Sequence, residues 1–301
     1  MKQFYRSFIP IMLLVLMVSS CQRKSSPASF LQDEDFVPSQ DGVSIHYKVY
    51  GSGEYPLFFV HGWCTHMGYW DNQIPAFAAN YKIITIDLAG HGKSGKERQN
   101  WTMEAYGRDV TAVADKLKLK NMILIGHSMG GPAILEAARL MPDRVIGLVG
   151  VDTFSDLYMK SYPQEKIKLS LESLRENFKA GMRELILRTY FDTETESNIR
   201  TRIMKDMTSA DLDIALGSLE NMLKYDGTKS FQAIDCPVRS INSKMTVESF
   251  DIAKENTQSL WIEYLEDVGH FIMLEASLEF NRLLAQFISE FITESYKKNQ
   301  F

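Results

Sequence analysis

Met122-Ile123-Leu124-Ile125-Gly126-His127-Ser128-Met129-Gly130-Gly131 is the stretch on which the architecture turns. Met122 to Gly126 is a short apolar run that reads as a buried strand, and Ser128 to Met141 has the length and pattern of a helix. Between them lies G-x-S-x-G, which puts Ser128 on a strand-to-helix turn. A turn that sharp forces Ser128 into a strained backbone conformation and exposes its Oγ, while a side chain at 126 or 130 would collide with neighbouring backbone. The helix that follows aims its first amides and the positive end of its dipole at charge developing beside Ser128. Ser128 is therefore a candidate nucleophile.

On either side of this stretch, β-rich runs alternate with helical patterns. Val43 to Tyr50, Pro56 to Val60 and Lys82 to Asp87 read as strands before it; Val145 to Asp152, Val238 to Asn242 and Leu260 to Leu265 read as strands after it. Thr102 caps a helix whose Tyr106, Val110, Val113, Ala114 and Leu117 share one face. A final amphipathic helix runs from Leu278 through Leu283, Leu284, Phe287 and Ile288 to Phe291, with Tyr296 to Phe301 as a frayed tail. Such alternation is the signature of an α/β fold with a mostly parallel sheet covered by helices on both faces. The stretch 153–235 carries helical runs only, at Ile167 to Phe178, Met182 to Tyr190 and Asp211 to Tyr225, and reads as a helical insertion. The core is then expected at 40–152 and 236–301.

The 301 residues carry 33 basic and 38 acidic side chains, a net charge of −5, with no basic run longer than two residues, which argues against a nucleic-acid partner. At the N-terminus, Lys2 and Arg6 precede the apolar run Ile9 to Val18, too short to span a bilayer and suited to a signal peptide over 1–20. Val18-Ser19-Ser20-Cys21 resembles a bacterial lipoprotein box, which implies cleavage before Cys21, acylation of its thiol and a membrane-tethered, exported protein. Residues 21–39, polar and without apolar periodicity, read as a tether. Cys64 follows one strand and Cys236 precedes another, so the two belong at opposite edges of a parallel sheet and are expected as free thiols.

Further motifs converge on the serine. His61-Gly62-Trp63 follows a strand, Asp87-Leu88-Ala89-Gly90-His91-Gly92-Lys93-Ser94 follows another, and Gly269-His270-Phe271 sits between the last strand and the last helix, with Glu275 and Phe280-Asn281 beyond. With Gly126 to Gly131, these make the chain resemble an α/β-hydrolase of the lid-bearing esterase and lipase type from about Val43 to Phe291. The resemblance implies an eight-stranded sheet, a helical lid inserted after the sixth strand, and a Ser-acid-His triad with no metal and no cofactor. It casts Ser128 as nucleophile, His270 as general base and the backbone N–H groups of Trp63 and Met129 as the oxyanion hole. An imidazole suits the base role because its unperturbed pKa of about 6.5 lets it take and return a proton near neutral pH.

The acid departs from the usual pattern. Aligning Pro237 to Asn242 with the seventh strand leaves Thr246 where an Asp is expected, whereas some relatives place the acid at the end of the sixth strand, here Asp152. Asp152 is the favoured acid and Glu248 the alternative. Asp87, His91 and His127 are expected to be structural, as are His66, Trp70 and Cys64. Met159, Met182, Met204, Met207 and Met222 suit either lid core or an adaptable apolar surface. The implied chemistry is cleavage of a small ester or related acyl bond. Peptidase, thioesterase and acyltransferase activities use the same triad, and a silent ligand-binding lipoprotein would lack the chemistry altogether. Serine in place of aspartate at position 128 disfavours dehalogenase and epoxide hydrolase activities.

Overall fold

The computed structural model of the chain describes residues 26–245, 249–257 and 259–298. Cys21, Thr246 and Glu248 lie outside them. Eight strands form one sheet: β1 (Leu31–Pro38), β2 (Ser44–Tyr50), β3 (Leu57–Val60), β4 (Ile83–Ile86), β5 (Met122–His127), β6 (Val145–Val151), β7 (Val238–Ser243) and β8 (Leu260–Leu265). Their order is β1-β2-β4-β3-β5-β6-β7-β8, with β1 and β2 antiparallel to their neighbours and the other six parallel. Every residue of β3, β4 and β5 is buried, which requires cover on both faces and explains why these strands read as continuous apolar runs rather than alternating ones.

Helices α1 (Ile74–Phe77), α2 (Met103–Lys116) and α3 (Gly130–Leu140) belong to the first half of the core. Thr102 caps α2 by accepting the Ala105 N–H, and Tyr106, Val110, Val113 and Ala114 are buried as their spacing predicts. The stretch between β6 and β7 is wholly helical: α4 (Asp156–Met159), α5 (Gln164–Glu176), α6 (Phe178–Thr189), α7 (Ser197–Thr208), α8 (Leu212–Lys224) and α9 (Thr228–Gln232). Helix α7, which buries Ile203 and Met207, has no counterpart in the sequence reading. The core closes with α10 (Asp251–Asn256), α11 (Ile272–Glu275) and α12 (Ser277–Lys298).

Two sequence expectations need correction. The tether predicted over 21–39 contains β1, the eighth strand. Its side chains are almost all exposed and its bonds to β2 are backbone bonds, so the strand carries no hydrophobic pattern. Glu34 anchors it through contacts to His46 Nε2 at 2.8 Å and Lys93 Nζ at 2.8 Å. At the other end, Leu278 is 85% exposed and the buried face of the last helix begins at Phe280, while the helix continues through Tyr296 to Lys298 where a frayed tail was expected.

One buried ion pair joins the first half of the core. Arg98 donates to both carboxylate oxygens of Asp109 on α2, at 2.5 and 2.9 Å, and Asp109 also accepts from Ser39 Oγ at 2.6 Å and the Ala89 N–H at 3.2 Å. The side chains are 2% and 0% exposed. Removing one partner of such a pair leaves an uncompensated buried charge. Asp109→Ala is expected to lower stability by about 3 kcal/mol, measured as the urea midpoint, with Asp41→Ala, which removes Arg98's half-exposed partner, costing clearly less.

Candidate active site

Ser128 has φ +51°, the left-handed conformation that its turn demands, and lies at the C-terminal end of β5. Its N–H donates to Val151 O at 2.9 Å and its carbonyl accepts from Gly131 N–H and Thr153 Oγ1, so the strained residue is held from the neighbouring strand and from its own helix. The flanking glycines are required by space. A Cβ on Gly126 would come within 2.3 Å of Gly130 O, and one on Gly130 within 2.7 Å of the carbonyls of Val60 and His61. The segment after β3 lies against the same turn, since a Cβ on Gly62 would sit 3.2 Å from Ser128 Cβ. Among the described residues, the backbone N–H groups of Trp63 and Met129 have no hydrogen-bond acceptor. The Trp63 side chain has a separate task, with its indole N–H donating to Ala215 O at 2.9 Å and tying this loop to α8.

His270 and Asp152 are joined directly, with Nδ1 at 2.5 Å from Oδ2. A carboxylate only accepts, so the proton is on Nδ1 and Nε2 is left as the basic nitrogen. Asp152, φ +47°, follows β6; its N–H donates to Ile241 O and its second oxygen accepts the Ser243 N–H at 2.9 Å, both from β7. The His270 loop is fixed by Glu275, which accepts the N–H groups of Gly269 at 3.0 Å and Phe271 at 3.2 Å, while the His270 N–H donates to Tyr190 O. The imidazole stacks on Tyr190 at 4.6 Å and 17°, and contacts the His127 ring at 4.6 Å on the residue before Ser128. Ser128 Oγ itself makes no hydrogen bond to His270 in this structure. Its partner among the described residues is the Tyr158 hydroxyl, at 3.4 Å.

The remaining polar residues nearby are bound into scaffold. His61 donates from Nδ1 to Gly62 O and accepts the Leu88 N–H at Nε2, and burial, with His91 beside it, pushes its pKa down to about 3. His91 accepts the Cys64 N–H at 3.3 Å. Burial pushes the Asp87 carboxyl up, but hydrogen bonds from His46 and the amides of Lys93 and Met67 outweigh it and hold the group at about 2. His66 caps a short helical turn and Trp70 is fully buried. Cys64 and Cys236 are free, and burial pushes both thiols up. Met159, Met182, Met207 and Met222 are buried as core, with Met204 partly so. Among the described residues no cluster of three or more His, Cys, Asp or Glu could hold a metal ion.

Residues 55–192 match the family model described as the alpha/beta hydrolase fold. The esterase from Exiguobacterium antarcticum superposes with a TM-score of 0.77 at 21% identity, covering 85% of this chain and all of that one. The chain has the α/β-hydrolase fold. Among curated relatives of this hydrolase fold, a non-heme chloroperoxidase of Streptomyces lividans is 36% identical over 128 residues, 42% of this chain and 46% of that protein. A bifunctional esterase/perhydrolase of Acinetobacter calcoaceticus is 33% identical over 129 residues, 42% of this chain and 47% of its own length. The chain thus spans about half the length of these two relatives. The family match covers the turn at Ser128, the loop at Trp63 and Asp152, and stops short of β7, β8 and His270.

Three contributors to this site escape sequence reasoning: Tyr158, Tyr190 and Ser243. Each acts through a contact made by the folded chain, and none lies in a motif. The role of His127 was legible in outline, since it is the variable position of G-x-S-x-G. Its Nε2–H donates to His270 O at 2.9 Å, and burial keeps its ring neutral by pushing its pKa well down. His127→Phe is expected to reduce kcat about tenfold, the cost of one positioning hydrogen bond, with KM and thermal stability little changed. An unchanged kcat would show that the His270 loop holds itself.

Proposed function

We propose that the protein is a serine hydrolase that cleaves a small carboxylic ester through an acyl-enzyme. The observation that carries this reading is the convergence, at the C-terminal ends of β3, β5 and β6, of a left-handed Ser128, two unengaged amides and a His270–Asp152 pair. In this reading Ser128 Oγ attacks the ester carbonyl and His270 Nε2 takes its proton. The oxyanion is received by the amides of Trp63 and Met129, and His270 returns the proton to the departing alkoxide. Asp152 orients the imidazole and stabilises its cation; water then repeats the sequence on the acyl-enzyme. Similarity to an esterase/perhydrolase favours a second reading in which hydrogen peroxide replaces water as the acyl acceptor.

Hydrolysis of p-nitrophenyl esters of increasing acyl length tests the proposal. Cleavage is expected with one optimum of chain length, absent in Ser128→Ala and reduced on the order of 10³-fold or more in Asp152→Asn. Turnover unaffected by Ser128→Ala would overturn the reading, and near-normal turnover in Asp152→Asn would move the acid elsewhere, with Glu248→Gln next to be measured.

The tether belongs to the same proposal. Acylation of Cys21 after removal of residues 1–20 would hold the hydrolase at a membrane, where among the described residues no helix is long and apolar enough to cross one. Cys21→Ser is expected to shift the protein from the membrane fraction to the soluble one; unchanged partition would remove the anchor from the account.

A further inference from the structure

Tyr158 stands where the reaction leaves an unassigned place. It lies on α4, six residues after Asp152, is buried, and puts its hydroxyl 3.4 Å from Ser128 Oγ. Its short helix is held from two sides. Tyr158 O accepts the Gly227 N–H at 3.1 Å, the Asp156 N–H donates to Ser249 O at 2.8 Å, and Asp156 Oδ1 accepts the Ile252 N–H at 3.0 Å. A four-residue helix clamped by the chain before α9 and by α10 is a firm seat for one side chain.

Strand order says which flank of the serine the hydroxyl occupies. The sheet runs β3-β5-β6, with Val60 level with Gly126 and Val151 level with His127. The loop carrying the Trp63 amide therefore leaves the sheet on one side of Ser128, and the segment carrying Asp152 and Tyr158 leaves on the other. The carbonyl oxygen of a substrate attacked by Ser128 goes to the amides. The Tyr158 hydroxyl thus meets Ser128 Oγ on the side of Asp152, opposite the loop of the Trp63 amide.

Resting on the serine-hydrolase reading, we infer that Tyr158 donates a hydrogen bond to the leaving-group oxygen of the ester and so fits the site to esters of poorly activated alcohols. As the tetrahedral carbon collapses, the C–O bond to the leaving group breaks with its electron pair on oxygen. The proton taken from Ser128 passes from His270 Nε2 to that oxygen, and Tyr158 keeps its own proton while sharing it with the developing alkoxide. The donor is worth most where the alkoxide is most basic. An alkyl ester or lactone depends on it, and a p-nitrophenyl ester, whose leaving group is stable as an anion, does not.

The test compares kcat/KM of wild type and Tyr158→Phe for ethyl, trifluoroethyl, phenyl and p-nitrophenyl esters of one acyl group, in the full chain. The variant is expected to lose about tenfold on the ethyl ester, the worth of one hydrogen bond, and less than about twofold on the p-nitrophenyl ester, so that rate depends more steeply on leaving-group acidity. The ratio of the two rates within one variant is independent of how much of it is folded. An equal loss across the series would show that Tyr158 is structural, and no loss anywhere would show that it is idle. If Ser128→Ala retains the wild-type activity, the hydrolase reading fails and this inference with it; serine-dependent cleavage with an unchanged slope removes the inference alone.

Discussion

The left-handed backbone of Ser128 is the constraint around which the rest is arranged. A non-glycine residue at φ +51° is costly in isolation and persists only when its surroundings over-determine it. Here Val151 takes its N–H, Thr153 and Gly131 take its carbonyl, and glycine at 126 and 130 lets two backbones pass closer than any side chain allows. That turn demands a parallel strand on each side, and the order β3-β5-β6 supplies them. Two loops then leave the sheet at the same level as the serine, one bringing the amide of Trp63, the other Asp152 and Tyr158.

The histidine is assembled differently. Its loop follows the edge strand β8, where the sheet gives little guidance, and its fixing comes from outside the sheet. Glu275 holds the backbone on both sides of it, His127 holds its carbonyl, and Tyr190, from the end of α6, supplies a stacking face and a backbone acceptor. Thr195, in the same helical insertion, donates to Glu275 at 2.5 Å. The insertion is thus part of the seat of His270, and a motion that lifted residues 190–195 would disturb the His270 loop itself.

What could be read in advance follows the range of the physics involved. The turn at Ser128 was legible because its glycines, its strand and its helix are contiguous in the chain. Burial on both faces made the central strands legible as apolar runs. Strand β1 was missed because an exposed edge strand is specified by backbone pairing, which leaves no mark on side-chain pattern, and its contacts to His46 and Lys93 join residues on other segments of the chain. Leu278 was misread because a terminal leucine cannot announce that its face has no partner. The pairing of Asp152 with His270 came from resemblance alone, and Tyr158 gave no signal because its hydroxyl meets Ser128 only after α4 is clamped between the chain before α9 and α10.

Reaction of the protein with an alkyl phosphonate that mimics the tetrahedral intermediate, followed by peptide mapping by mass spectrometry, addresses the central claim most directly. The account predicts one adduct, on the peptide carrying Ser128, lost in Ser128→Ala and formed far more slowly in His270→Ala. An adduct on another residue, or labelling of Ser128 at the same rate without His270, would contradict it.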